Sequence, residues 1–441
     1  VTATDLSQTA SAPIDEPVSN PVESAAVQST QRRLVYVLAG AQILGGVGVA
    51  TGATVGALLA AELSSESFSG LSATASVVGA ALAAIPISRV MNVRGRRAGL
   101  IVGYSIGVLG ALTVIIGATL GFFPLALLGL VGIGSGTAAG LQSRYAATDL
   151  AAPQHRGRAL STVVWATTVG SVLGPNLSSP MGKVAETIGI PKLTGPYLLT
   201  MLALAGALVV VWRLLRPDPL LTARELRVSS GQVNVVPILQ RSIRENIAFI
   251  RSIPSAFLGL AAMCIGQAVM SAVMSMTPIH LKHGDADLRI IGFVISGHIA
   301  GMYAASPLVG MASDRFGRRP VILAGCAILL ASFVVSGTAG VHGRWQLGVG
   351  LFLLGLGWSC TLIAGSTLLT ESIPVDSRPT IQGAADLTMG MSGAAGALIA
   401  GLIVAFGSYG LLNLLTALLV IPLAAAVLRR APVPIPARSA D

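Results

Sequence analysis

Two pairs of soft-donor side chains occupy the second half of the chain: Met270-x-x-x-Met274 and, 24 residues further on, His298-x-x-x-Met302. Residues four apart share a helix face, so each pair points one way. Thioether sulfur and neutral imidazole suit a soft, weakly hydrated ion such as Cu(I) far better than zinc or magnesium. Met263 and Gln267 continue the first stripe. The plainer alternative is that the methionines fill a helix core and that His298 is hydrogen-bonded to Tyr303 or Gln267, or serves as a proton site. A second kind of chemistry rests with Asp386, a carboxylate in an otherwise apolar stretch. Ionisable groups in such a setting are costly and default to function, here proton coupling through Asp386 or His298. An acid that only favours the start of its helix is the alternative. Gly170-x-x-x-Gly174-Pro175 offers either a kinked gate or a small-residue packing face.

All of these residues must be held by a membrane body. The chain has 441 residues, 53% of them hydrophobic and 10% charged, against roughly 25% charged in ordinary globular proteins. A crossing helix needs about 20 largely apolar residues. Single spans are expected at Leu34–Ala61, Ser67–Ser88, Ala159–Gly182, Leu193–Trp212, Ser252–Ile279, Ile290–Ser313, Val321–Val341 and Trp345–Thr370. Ala98–Ser143 and Leu387–Leu428 each fold back, at Gly121–Pro124 and at Gly407–Gly410, which brings the count to twelve. Helix 7 ending near Ile279 and helix 8 starting near Ile290 place Met270 and His298 at matching depth, roughly 12 Å below the outer surface at 1.5 Å per residue.

With both termini cytoplasmic, 22 of the 28 basic residues lie inside, so the net charge of +10 is a topology signal and not a nucleic-acid footprint. Residues 1–33 read as a disordered cytoplasmic tail without a signal peptide, 34–215 as a first six-helix bundle and 255–430 as a second. Residues 216–254 read as a cytoplasmic linker whose stretch Ile238–Ile253 lies on the membrane as an amphipathic helix, and 431–441 as a second tail. Cys264, Cys326 and Cys360 sit in apolar runs and make no disulfide framework.

The halves repeat at an offset of 222 residues. Asn92-Val93-Arg94-Gly95-Arg96-Arg97 corresponds to Asp314-Arg315-Phe316-Gly317-Arg318-Arg319, Asp149 to Glu371, Arg156 to Arg378 and Gly174 to Gly396. Each half therefore places an acid 53 residues after an arginine, Arg96 to Asp149 and Arg318 to Glu371. Duplicated six-helix halves are a transporter architecture with the substrate held between them.

Gly310-x-x-x-Asp314-Arg315-x-Gly317-Arg318-Arg319 resembles the cytoplasmic signature of the major facilitator superfamily, and the resemblance spans residues 32–430. It implies an all-α membrane fold of twelve helices in two pseudo-repeats. It also implies a latch closing the cytoplasmic side, built from Asp314, Arg315, Arg318 and Glu371 with Arg96 and Asp149. The first copy is degraded, with Ser88, Asn92 and Val93 at signature positions, and Asp386 is a candidate substitute acid. The Gly170–Pro175 stretch resembles the helix 5 motif of proton-coupled drug exporters. The Met and His pairs resemble those of copper importers in the same superfamily that serve haem–copper oxidase assembly. The expectation is thus a secondary transporter of the cytoplasmic membrane and not an enzyme, monomeric, without cofactor and without nucleic acid. Its cargo is Cu(I) through Met270, Met274, His298 and Met302, or alternatively an amphipathic organic compound exchanged for protons. Gln142, Arg144 and Tyr145 form a further group able to hold an organic anion.

Overall fold

The computed structural model describes residues 25–64, 69–229, 242–284, 288–340 and 342–429. The first half comprises α1 (Ala25–Leu63), α2 (Ser69–Arg94), α3 (Arg96–Thr119), α4 (Phe123–Ala146), α5 (Arg156–Thr187) and α6 (Gly195–Leu214). Two shorter helices follow, α7 (Pro219–Ser229) and α8 (Ile243–Ser252). The second half comprises α9 (Pro254–His283), α10 (Leu288–Tyr303), α11 (Ser306–Phe316), α12 (Arg318–Gly337), α13 (Arg344–Ser372), α14 (Arg378–Phe406) and α15 (Tyr409–Leu428). No strand occurs among the described residues. Eleven described segments are long and apolar enough to cross a bilayer. The twelfth crossing is α5, 32 residues long, whose Asn176, Ser178, Ser179 and two prolines make it less apolar than the others.

The crossing expected at Ile290–Ser313 is made in two pieces, α10 and α11. Pro307 sits in the first turn of α11, where its missing N–H is harmless, and the chain breaks just before it. The amino-terminal boundary also differs from expectation. Residues 25–33 are the first turns of α1 and not a tail. They lack Gly and Pro, and two side chains anchor them: Gln31 donates to the Ala147 carbonyl at 2.6 Å, and Arg33 donates to the Arg216 carbonyl. Residues 1–24 and 430–441 lie outside the described residues, as does the start of the expected amphipathic helix at 238–241. Its remainder, α8, carries a capping box between Ser242 and Glu245. Helix α8 packs on α9 and α14 and buries Asn246 and Ile250.

Internal duplication is visible in the packing. Helix α1 lies along α5 and α6, α2 along α4, and α3 along α4, while α9 lies along α14 and α15, α10 along α13, and α12 along α13. The loops that carry the repeated motif share a backbone conformation too. Gly95 has φ +87° and Gly317 φ +93°, the left-handed region that favours glycine, and each is the residue from which α3 or α12 departs.

Gly170 and Gly174 face α1. A β-carbon on Gly170 would stand 2.7 Å from the Val47 nitrogen, and one on Gly174 2.9 Å from the Thr51 nitrogen. Both glycines thus serve close helix packing. Gly170→Val is expected to destabilise the protein by about 1–3 kcal/mol, read as a fall of several degrees in the thermal unfolding of detergent-purified protein. Gly292→Ala, which meets nothing within 4 Å, should leave the transition in place.

Candidate functional site

One end of the bundle, where the arginine-rich loops gather, is closed by two ion-pair clusters related by the 222-residue repeat. The left-handed turn at Gly95 sets Arg96 at the first position of α3, fully buried. Arg96 Nε donates to Asp149 Oδ2 at 2.7 Å and its Nη2 to Oδ1 at 3.3 Å. The same guanidinium reaches Gln142 Oε1 at 3.3 Å and Gln382 Oε1, on the opposite half, at 2.6 Å. In the second copy Arg318 Nη2 donates to Glu371 Oε1 at 2.8 Å and Nη1 to Asp314 Oδ1 at 2.9 Å. The repeat then exchanges partners across the halves: Arg378 approaches Asp149 at 3.8 Å and Arg156 approaches Glu371 at 3.8 Å. Asp314 also receives the Gly157 and Arg158 backbone N–H groups, each at 2.8 Å, at the amino-terminus of α5, where a helix favours negative charge. Arg315 takes no part; its guanidinium lies over the Phe316 ring at 5.4 Å.

The first copy lacks that last contact on both sides. Asn92 stands in place of the aspartate, and Pro379, which has no N–H, stands in place of Gly157. A helix absent from the sequence reading supplies the substitute. Arg224 of α7 donates to the Asn92 carbonyl and to Asn92 Oδ1, both at 2.8 Å, and pairs with Asp376 on the other half at 3.2 Å. The seams are complementary in size as well. A β-carbon on Gly310 would collide with Ser161 Oγ, and one on Gly383 would collide with Ser88 Oγ. The glycine and the serine have changed places between the repeats.

One turn in from these clusters lies a polar group without a symmetric copy. Arg144 Nη2 donates to Asp386 Oδ1 at 2.5 Å, and Gln142 Nε2 donates to Asp386 Oδ2 at 2.9 Å. The Tyr145 hydroxyl donates to the same carboxylate at 3.4 Å. Arg144 and Asp386 are 2% and 3% exposed, so the pair that joins α4 to α14 is out of water. Positions 222 away hold Ser366 and Val164. Arg144 Nε and Nη1 have no partner among the described residues. Nearby, Trp358 Nε1 donates to Gln267 Oε1 at 2.9 Å and the Tyr303 ring meets Trp358 edge-on at 5.7 Å. Gln142, Arg144 and Tyr145, grouped on the sequence as able to hold an organic anion, all reach the Asp386 carboxylate, while Asp149 pairs with Arg96.

Met270 and Met274 lie on α9, and His298 and Met302 on α10. Helices α9 and α10 scarcely touch, and both lie along α13. Met270 and Met302 are buried in the apolar core of the second half. His298 Nδ1 is 2.8 Å from the Leu351 carbonyl, so Nδ1 carries the proton. Nε2 then presents a lone pair, buried and unpartnered among the described residues. No cluster of three or more His, Cys, Asp or Glu able to hold a metal occurs among the described residues.

Residues 37–288 and 281–441 match the family described as Major Facilitator Superfamily. The chain is 38% identical to the uncharacterized MFS-type transporter YdeG of Bacillus subtilis (strain 168), over 89% of this chain and 90% of the relative. It is 27% identical to the riboflavin transporter RfnT of Brucella anthropi, over 89% of this chain and 95% of the relative. Among solved structures, the proton:xylose symporter XylE superposes with a TM-score of 0.71 at 15% identity, over 90% of this chain and 95% of XylE.

If Arg224 braces the weakened seam, Arg224→Gln should loosen it. In a background with Cys264, Cys326 and Cys360 replaced by Ala, a Ser88→Cys probe is expected to react two- to five-fold faster with a water-soluble thiol reagent when Arg224→Gln is added. That corresponds to about 0.5–1 kcal/mol for a partly exposed pair. A Ser161→Cys probe at the other seam should respond less.

Proposed function

Because the chain belongs to the major facilitator superfamily and is a multi-pass membrane transporter, we propose that it moves a small organic solute by proton-coupled alternating access, with Arg144 and Asp386 at the coupling centre. The observation that carries this reading is the broken symmetry of that pair. Both halves must open and close against each other, so latch residues recur at the 222-residue offset. A cargo molecule has no such symmetry, and the buried polar residues that contact it need no counterpart. Gln142, Arg144, Tyr145, Gln267, Trp358 and Asp386 have none: the positions 222 away hold Ala364, Ser366, Thr367, Gly45, Gly136 and Val164.

In this reading a proton taken up by Asp386 removes the negative charge that holds Arg144. The guanidinium, with two nitrogens already unpartnered, then takes an anionic or carbonyl oxygen of the cargo. Tyr145, Tyr303 and Trp358 supply ring faces beside it, which suits a planar organic solute. The riboflavin transport named for the relative RfnT is of that class. The arginine-rich end is cytoplasmic by the positive-inside rule, so the closed latch corresponds to a carrier open to the outside. The protein acts in the cytoplasmic membrane as a monomer.

Cu(I) import is a second reading, favoured by the buried lone pair on His298 Nε2 with methionine sulfur along the same pair of helices. Gating at Gly170, Gly174 and Pro175 belongs to the first reading, as a flexible point in α5.

Proteoliposomes with an imposed pH gradient test both. Riboflavin is the first probe, followed by a panel of aromatic carboxylates. Asp386→Asn is expected to lower gradient-driven flux at least ten-fold while exchange without a gradient falls less than three-fold. Arg144→Gln should abolish both. Unchanged gradient-driven flux in Asp386→Asn sinks the coupling role. Cu(I) accumulation lost in Met270→Ala/His298→Ala, with no organic flux in the wild type, would transfer the function to the second reading.

A further inference from the structure

Outside the latch and the central pair, four arginines crowd one corner of the basic end without a carboxylate partner. Arg94 closes α2, Arg97 opens α3, and Arg213 and Arg216 follow the last apolar turns of α6. None of the four forms an ion pair among the described residues. The nearest acid, Asp218, is already committed to backbone. Its Oδ2 accepts the Arg97 N–H at 2.7 Å, and its Oδ1 accepts those of Leu220 and Leu221 at 3.0 and 3.2 Å. Arg97 Nε and Nη2 donate to the Trp212 carbonyl at 3.2 and 2.7 Å, which holds the side chain in place and leaves Nη1 free of that contact.

Three of the four, Arg94, Arg97 and Arg216, line a cavity of about 200 Å³. Asp218 stands with them in its charged wall, its two oxygens taken by backbone N–H groups, and Ala98, Ile101, Leu215 and Leu221 form the apolar wall. Sites that enclose whole small molecules run to about 300–1,000 Å³, so this one takes a group whose remainder lies outside. The exterior here is the edge of the bilayer. Trp212 is 45% exposed with Arg213 stacked on its ring at 4.5 Å, and Leu214 is 54% exposed. Exposed tryptophan beside arginine marks the level of lipid headgroups. The duplicated motif does not demand Arg94, because the equivalent position is Phe316, whereas Arg97 recurs as Arg319.

We infer that this corner is a binding site for the phosphate headgroup of an anionic phospholipid, with Arg94, Arg97 and Arg216 on the phosphate and the acyl chains running along α3 and α6. The apolar wall at the membrane edge favours a lipid over free phosphate. A lipid held here would brace α2, α3, α6 and the start of α7, the helix that carries Arg224. The inference is independent of the cargo.

The test is native mass spectrometry of the full chain, delipidated in detergent and titrated with phosphatidylglycerol or phosphatidylcholine. One phosphatidylglycerol is expected to bind at least ten-fold tighter than phosphatidylcholine. Arg94→Gln, an exposed side chain whose loss should not disturb folding, is expected to weaken it about five-fold, as expected for one basic residue near an anionic headgroup. Arg94→Gln/Arg97→Gln/Arg216→Gln should erase the preference, whereas Arg319→Gln on the other half should keep it. Equal binding of the two lipids, or wild-type affinity in the triple variant, overturns the proposal. Displacement of phosphatidylglycerol by 10 mM inorganic phosphate would make this a free-phosphate site and overturn it equally.

Discussion

A guanidinium taken out of water must be met by a carboxylate, and the closed end of this protein is organised by that demand. Arg96 and Asp149 are both fully buried. Removing one member of such a pair typically costs about 3–5 kcal/mol, because the other is left charged and alone. Arg378 and Arg156 then bring a second cation from the opposite half to each acid. The halves therefore cannot part at this end without rehydrating or re-pairing those groups. The glycine turns, the helix ends and the bracing by α7 all serve to bring these few charges to one level.

Much of this could be read from the chain. The twelve crossings follow from apolar length; an arginine and an acid recur 53 residues apart in both halves, and that they pair as a latch is what the resemblance to the superfamily implies. Repetition is what made Arg96–Asp149 and Arg318–Glu371 visible. The Arg144–Asp386 pair was hidden for the converse reason: its partners lie 242 residues apart and no second copy points to them. The role of Arg224 was hidden because α7 is short and polar, and its meaning depends on where Asn92 and Asp376 stand in space. The soft-donor pattern was legible as two pairs on two helices, but spacing along a helix says nothing about how the two helices pack. Here α13 lies against both α9 and α10.

Duplication has thus left two kinds of position. The Arg–acid pairs at the seams kept their repeat, with some substitutions on one side answered on the other: Asn92 with Pro379, and Ser88 with Gly383. Those lining the interior diverged freely, and nearly all the larger polar and aromatic groups ended in asymmetric places.

The exchange of glycine and serine between the seams also settles how each half regards a copy of itself. Two first halves set face to face would press Ser88 against Ser161, and two second halves would leave Gly310 opposite Gly383 with a void between them. The carboxylate of Asp314, offered to a second half, would find Pro379 in place of Gly157 and lose one of its two N–H donors. An ancestral pair of identical subunits could have met in any combination. In the present chain the close contacts at the seams fit one half against the other and would not fit a half against its own copy.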